Sequence, residues 1–499
     1  MALSWLGGRK SDHPLADEKS AKEALAGLPR SDPEKALEEL RDWIISAAAA
    51  EDLKPERRAE ILLQLDEVAL PFHRKLSRDY VVVANQTKTQ EARIWRAMSG
   101  YWKDLATAYT SIVDQCVADN GIAGKLKSQL PLLCMRAVRS LAGQLKWQYM
   151  HYEPEDTEAW NSLGRIYRLA EQKKIHGDTL RVYANVPQNS SIERELVKLL
   201  MLAASSPDCM PQVGIELSEW IIAHLGASFV LSPTHQPQTT YNYFDLGAGL
   251  PPKRLVQAPP SSPDIRFFAA GPATGLLDNV IRVAEGGALP SELNLGGTYE
   301  CPLVLRVLRH LRTTWSAPPP VRKNDRYEMQ HKLNVANGMA GILTRLQGGQ
   351  APASLESWIT QNISSGGIGT MASNVQGDWL GVGKLVALSV EGGSGSYSVG
   401  VVRRWSRHPK LQFSVGIRTL AKTSFHVKLG GVAPQDAILL NDDRVLREEV
   451  LVCTREGGFD KRIGPVLEFE GENFLLVPVA IVESGDDFDI ARYRVMRQT

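Results

Sequence analysis

Two arginines in the second half of the chain have the type and spacing to hold a charged, planar ligand. Arg322 and Arg326 stand four apart in the segment RKNDR. Their guanidinium groups are flat and permanently charged, so they can bridge phosphate oxygens, pair with the O6/N7 edge of guanine or stack on a base. The spacing alone is weak evidence, because Arg74 and Arg78 repeat it in the same chain.

A group of polar and small residues further along adds to this signal. On a strand, side chains two apart lie on one face, so Asn362 and Ser364 should point the same way. The glycines at 366, 367 and 369 would leave backbone bare, so that a flat ring could approach without meeting a Cβ. Together with the arginines, this pattern predicts a site for a ligand that carries phosphates and guanines. The candidate binding residues are Arg322, Arg326, Asn362, Ser364 and Gly367, with Lys323, Gly369, Arg403 and Arg404 as additional candidates.

The elements around these residues follow the period of two that β-strands show. Phe413, Val415 and Ile417 alternate with polar residues or glycine. Short strands separated by Gly-rich turns are typical of barrels and sandwiches. We therefore expect two small β units, one ending near Thr423 and one after it. A strand-like stretch is also expected over His331–Leu343.

The first half has the period of helices instead, from about Pro33 to Leu225. The octet W-x-x-L-G-x-x-Y begins at Trp160, and a near copy with alanine for glycine begins at Trp102. This is the first-helix pattern of tetratricopeptide repeats, although the copies are too far apart for successive repeats. The pattern fits either a generic helical bundle or a degenerate repeat scaffold, and both suit contact with a protein partner.

A Pro- and Gly-rich region joins the halves. We expect a strand near Tyr241, helices near Leu276–Ala284 and Pro302–Trp315, and a domain boundary at Pro318-Pro319-Pro320, since successive prolines stiffen a connector. The predicted segments are 1–30, a flexible N-terminus; 31–227, a helical domain; 228–316, a mixed connecting region; 317–425, a β-barrel with its arginine linker; and 426–499, a C-terminal β domain.

Composition excludes several classes of function. The formal net charge of +1 argues against binding nucleic acid or an anionic membrane through overall charge. Five scattered cysteines and the absence of a signal-peptide pattern favour a reducing, cytoplasmic location. The sequence shows no apolar stretch long enough for membrane insertion, no metal-ligand spacing and no catalytic motif. We expect no enzyme activity, no metal and no cofactor.

The arginine pair, the Asn-x-Ser-x-x-Gly group and the barrel together resemble the PilZ family of cyclic di-GMP receptors. Its pattern is RxxxR on a linker, followed by a β-barrel that carries [D/N]-x-S-x-x-G. Arg322 and Arg326 match the first element, and Asn362, Ser364 and Gly367 match the second. The resemblance covers about a fifth of the chain.

Together with the helical period of the first half and the strands after Thr423, this resemblance predicts a multidomain α+β protein with an all-α N-terminal half, a PilZ-like antiparallel barrel and a further small β unit. It implies reversible binding of cyclic di-GMP without catalysis, which the linker would relay to a partner through the helical half. The alternative is a ligand-free adaptor with a degenerate PilZ barrel. An unrecognised enzyme that uses residues 228–316 has no positive signal in its favour.

Overall fold

The chain folds into two compact units. The computed structural model describes residues 13–83, 87–257, 262–320, 324–348, 355–393, 396–410, 412–431 and 434–497. One unit comprises Met1–Pro207 and Gln212–Pro320, and the other comprises Asp208–Pro211 and Val321–Thr499. Residues 228–316 therefore belong to the same unit as the helical domain.

The first unit is built mainly from helices. Aspartates at 32 and 156 cap two of them by accepting hydrogen bonds from backbone N–H groups of the first turn. Although α3 and α4 are long, no helix in the part of the chain that the structure describes combines the length and apolar character needed to cross a bilayer. The helices are α1 Glu18–Ala26, α2 Pro33–Ala49, α3 Pro55–Val83, α4 Lys88–Ala118, α5 Asn120–Lys125, α6 Leu130–Met150, α7 Thr157–Gln172, α8 Ile192–Ala204, α9 Gln212–Leu225, α10 Ala273–Glu285 and α11 Cys301–Thr314.

Helix α6 lies in the middle of this unit and carries buried charge as well as apolar side chains. Arg136 is 1% exposed and donates to Asp66 over 2.6 Å. The hydroxyls of Tyr109 and Tyr183 also donate to the Asp66 carboxylate, at 3.0 and 3.2 Å. A buried ion pair is tolerated only when such additional hydrogen bonds satisfy it.

The mixed region forms a small antiparallel sheet with strand order β3-β6-β4-β5. The expected strand near Tyr241 is present, and so are the two expected helices, as α10 and α11. A Cβ on Gly164 would lie 1.9 Å from the carbonyl oxygen of Leu246, so this glycine lets the sheet region approach α7. The strands are β1 Leu180–Arg181, β2 Asn189–Ser190, β3 Val230–Ser232, β4 Asn242–Asp245, β5 Lys253–Arg254 and β6 Ile265–Ala269, of which β1 and β2 pair separately.

The second unit contains two closed, six-stranded antiparallel barrels, which confirms the mixed α+β fold class. The first has the order β8-β9-β10-β13-β12-β11, and the short strand β7 pairs with β9. The second has the order β14-β15-β16-β19-β18-β17. The strands are β7 Tyr327–Glu328, β8 Lys332–Asn337, β9 Glu356–Ser364, β10 Gly367–Ser373, β11 Leu385–Val390, β12 Ser398–His408, β13 Gln412–Ala421, β14 Ser424–Gly430, β15 Gln435–Leu440, β16 Glu449–Thr454, β17 Val466–Phe469, β18 Glu472–Ser484 and β19 Asp489–Arg497.

The expected strand over His331–Leu343 was too long. β8 ends at Asn337, and a further helix, α12, runs over Gly338–Leu346. Gly338 has φ +69°, a backbone conformation that favours glycine and ends the strand. In α12, Met339, Ile342 and Leu343 have helical spacing and are all buried.

Both barrels pack on α12 and share a hydrophobic core. Met339 and Ile342 lie in one buried cluster with Leu385 of the first barrel and with Ile438 and Phe488 of the second. In addition, Asp487 accepts a hydrogen bond from the backbone N–H of Met339 over 2.7 Å. The two barrels are therefore parts of one folded unit.

Candidate functional site

The arginine segment is tied by backbone pairing to the strand that carries the Asn-x-Ser group. Tyr327 pairs with Ile363, and Glu328 pairs with Asn362, in antiparallel register. The contact continues along β9, because the Met329 N–H donates to the Gln361 carbonyl over 3.2 Å. Arg326 and Ser364 each lie one residue beyond the first of these pairs, at the same end of the paired strands.

Only part of the predicted arginine pair can be located. Arg322 and Lys323 lie outside the described residues, whereas Asn324, Asp325 and Arg326 lie within them and are exposed. The Asn324 amide nitrogen is 3.4 Å from the position that a Cβ on Gly366 would take. The described end of the linker therefore lies beside the turn between β9 and β10.

Asn362 and Ser364 are half-buried near that turn. The Asn362 amide lies over Gly369, its partner on β10, and a Cβ on Gly369 would stand 2.7 Å from the Asn362 Oδ1. The Ser364 hydroxyl donates to the Gly367 carbonyl over 3.2 Å. Four of the predicted site residues are thus held together by the hairpin itself.

The glycines at 367 and 369 do not form the bare surface that the sequence predicted. A Cβ on Gly367 would lie 2.5 Å from the backbone oxygen of Ile417 on β13, so this glycine is needed for strand packing. The space beside Gly369 is taken by the Asn362 side chain. Both glycines therefore permit close approach of the protein's own groups.

One row of residues crosses four strands on the outer face of the first barrel. Asn362 pairs with Gly369, Gly369 pairs with Gly416, and Gly416 pairs with Arg404. The neighbouring Thr370 is fully buried, so the row lies on the opposite, outward side of the sheet. Strands lie about 4.8 Å apart, so the row spans roughly 14 Å, with polar side chains at both ends and glycine between.

Two residues of this face were not among the predicted candidates. Gly416 lies between Gly369 and Arg404, and Arg418 pairs with Gly367 in the next outward row. The sequence pattern does predict that they point outward, because Gly416 and Arg418 alternate along the strand with the buried Val415 and Ile417. Sequence alone did not reveal which strand they would face.

Arg403 and Arg404 lie in different environments although they are adjacent. The register between β12 and β13 shifts at Arg403, which therefore has no direct partner in the sheet. Arg403 pairs with Glu483 of the second barrel over 2.5 Å, and Arg418 contacts the same carboxylate. Burial lowers the pKa of Arg403 below its ordinary value, an effect that Glu483 opposes. Arg403 is thus placed in the contact between the barrels.

The described residues of this face offer cations, an amide, a hydroxyl and backbone groups, which suits binding of an anion or a base edge. No cluster of three or more His, Cys, Asp or Glu side chains placed to hold a metal ion occurs among the described residues of the whole chain.

Comparison with known proteins finds one family match, and it lies in the other unit. Residues 19–236 match the family described as Cyclic-di-GMP receptor FimW, N-terminal domain. The matched range covers α1–α9 and ends before the barrels. Among curated proteins, the chain has no match.

The match supports a receptor of cyclic di-GMP at the level of the family, which is a description of binding and not of catalysis. The helical N-terminal half and the six-stranded barrels are consistent with a PilZ-containing protein. The matched domain is not the one that carries the candidate residues. The match therefore does not locate the nucleotide in the barrel unit.

Proposed function

We propose that this protein is a receptor that binds cyclic di-GMP on the outer face of its first barrel and releases it unchanged. The observation that supports this site is the pairing of Tyr327 and Glu328 with Ile363 and Asn362. It holds Arg326 at the end of β9, beside the Asn-x-Ser group. Binding loses less conformational entropy when a charged segment is already tethered near its ligand.

In this proposal, different residues contact different parts of the ligand. Arg322 and Arg326 hold phosphate oxygens or the O6/N7 edge of a guanine through charge-assisted hydrogen bonds. Asn362 and Ser364 contact a guanine or ribose from β9. Arg404 lies at the far end of the glycine row, where it can meet the second half of the dinucleotide. We assign Arg403 a role in joining the barrels.

We further propose that binding is relayed to a protein partner through the helical unit, in the cytoplasm. All five cysteines are free, which suits a reducing compartment. Pro318, Pro319 and Pro320 directly precede the arginine segment, so a ligand held there would act on the connection between the units. Small-angle scattering should then show a change in the radius of gyration when cyclic di-GMP is added, and a smaller change for Arg326→Ala at the same nucleotide concentration. An identical radius with and without bound nucleotide would contradict the relay.

Calorimetric titration of the full chain tests the function itself. We expect saturable heat with cyclic di-GMP and none with GMP at the same concentration. Asn362→Ala should weaken binding, whereas Asn334→Ala on β8 serves as the matched control. Absence of heat with cyclic di-GMP would leave the ligand-free adaptor as the better account.

A further inference from the structure

The helical unit contains a cavity that the proposed nucleotide site does not use. It has a volume of about 200 Å³ and lies between α3, α4, α6, α8 and α9. Pockets for drug-sized ligands measure roughly 300–1,000 Å³, so this cavity is too small for a dinucleotide. A dry cavity of about 150 Å³ accommodates benzene, so a molecule with one small ring would fit.

The lining of this cavity combines apolar surface with aromatic rings. Trp102, Trp147 and Trp220 contribute indoles, and Leu70 and Leu199 are among the aliphatic side chains. Such walls suit a compact apolar body, since a few polar groups then suffice to orient it.

Among the described residues, three lining side chains have a buried polar atom without a hydrogen-bond partner, and two of these atoms lie on neighbouring rings. They are the His73 Nε2 and the Trp102 Nε1, and each side chain is only 8% exposed. The two rings touch, with centroids 4.9 Å apart. A Cβ on Gly143 would lie 2.4 Å from the Trp102 ring, so this glycine lets the indole lie flat on α6. The Trp102 Nε1 is a donor, whereas the His73 Nε2 donates or accepts according to which ring nitrogen carries the proton. Buried donors without partners are rare in folded proteins, so the Trp102 Nε1 indicates that an acceptor is missing from this corner.

Most of the charges around the cavity are already paired. Lys146 pairs with Glu216 over 2.6 Å and also contacts Glu219. Glu195 accepts from both Arg139 and Lys198, at 2.7 and 2.6 Å.

Arg74 is the exception among these charges. It lines the cavity, is exposed to solvent and forms no ion pair within the described residues. The Nε of Arg139 is also buried without a partner there. Burial, and then the nearby cations Arg74, Arg139 and Lys146, lower the pKa of His73 to about 3. The corner that holds the unpartnered donors is therefore a positive one.

We propose that this cavity binds a small carboxylic acid with an apolar body about the size of one ring. The carboxylate accepts from the Trp102 Nε1 and is paired with Arg74, while the body packs against the indoles. This site is distinct from the barrel site and stands whether or not the barrel binds nucleotide.

Benzoate is a suitable probe, with benzyl alcohol as its uncharged counterpart. The full chain is labelled with ¹⁵N at the tryptophan indoles, and the Trp102 signal is assigned by its absence in Trp102→Phe. We expect benzoate to shift this signal saturably, with a dissociation constant at or below about 1 mM. Arg74→Gln should weaken binding about tenfold, because a charge-assisted contact is lost. Lys75→Gln, on the same helix but outside the lining, should leave binding unchanged.

Two results would overturn the proposal. One is a Trp102 signal that does not move with benzoate up to roughly 10 mM, ten times the expected constant. The other is equal binding of benzyl alcohol together with unchanged benzoate binding in Arg74→Gln, since the cavity would then not select an anion.

Discussion

At the scale of single residues, the two glycines of the candidate site have different tasks and should respond differently to alanine. In Gly369→Ala, the added Cβ meets the end of the Asn362 side chain, which can rotate away. We expect about a tenfold loss of cyclic di-GMP affinity and a change of less than about 1 kcal/mol in the free energy of unfolding.

Gly367→Ala is the matched comparison. Its Cβ would meet the backbone oxygen of Ile417 at 2.5 Å, so β10 and β13 must separate. Overpacking of this kind costs about 1–3 kcal/mol. Urea unfolding and calorimetry of both variants test the distinction, and equal losses of stability would contradict it.

Arg326 should contribute more to the affinity for cyclic di-GMP than other exposed cations near it in the chain. Arg326→Ala is expected to weaken cyclic di-GMP binding roughly ten- to a hundredfold, since hydrogen bonds to charged groups are worth about 1.5–3 kcal/mol. Lys332→Ala is the control, because Lys332 is exposed and lies six residues further along the chain, at the start of β8. Equal effects of the two substitutions in calorimetry would remove Arg326 from the site.

The sequence was informative about residues that are close along the chain and less so about residues that meet across strands. Asn362, Ser364 and Gly367 lie in one hairpin, so their spacing along the chain is enough to predict that they are close together in the fold. Gly416 and Arg404 reach the same face only through the register of four strands. That register depends on the bulge at Arg403, and no local pattern encodes it.

At the scale of elements, the helical bundle holds a buried carboxylate that should make its stability depend on acid pH. Glu195 of α8 is 5% exposed and accepts from Arg139 and Lys198. Burial opposes its ionisation, but Lys198 and Arg139 lower its pKa from the ordinary value of 4.5 to about 2. A lowered pKa stabilises the fold above about pH 4.5, and this contribution is lost as the pH falls towards 2.

We therefore expect Glu195 to account for a loss of about 2 kcal/mol in the free energy of unfolding between pH 7 and pH 3. Urea unfolding at both pH values measures it, and Glu195→Gln should show a correspondingly smaller loss. Glu193→Gln, on the same helix at a 40%-exposed position, is the control. A pH dependence in Glu195→Gln that equals that of the unsubstituted protein would contradict this account.

Element types were predictable where one periodicity continued for long enough. The helices of the first half and the alternating strand β13 follow directly from hydrophobic spacing. The helix after β8 was not predicted, because the hydrophobic pattern changes from period two to helical spacing at Gly338, within a short apolar run. In such a run the two periods are difficult to distinguish without tertiary contacts.

At the scale of the whole molecule, two separate observations favour cyclic di-GMP as the ligand, and they concern different units of the chain. The receptor family matches residues 19–236, whereas the arginine linker and the Asn-x-Ser group belong to the barrel unit. A receptor built from a helical domain and a binding barrel accommodates both. The shared core of the two barrels also means that a change at the first barrel acts on a single folded body.

Hydrogen exchange of the full chain, measured by mass spectrometry with and without cyclic di-GMP, tests the location of the site most directly. We predict that the nucleotide slows exchange in the arginine segment with β7, in the hairpin of β9 and β10, and at Gly416 on β13. Slower exchange confined to residues 19–236, with these barrel segments unchanged, would contradict it.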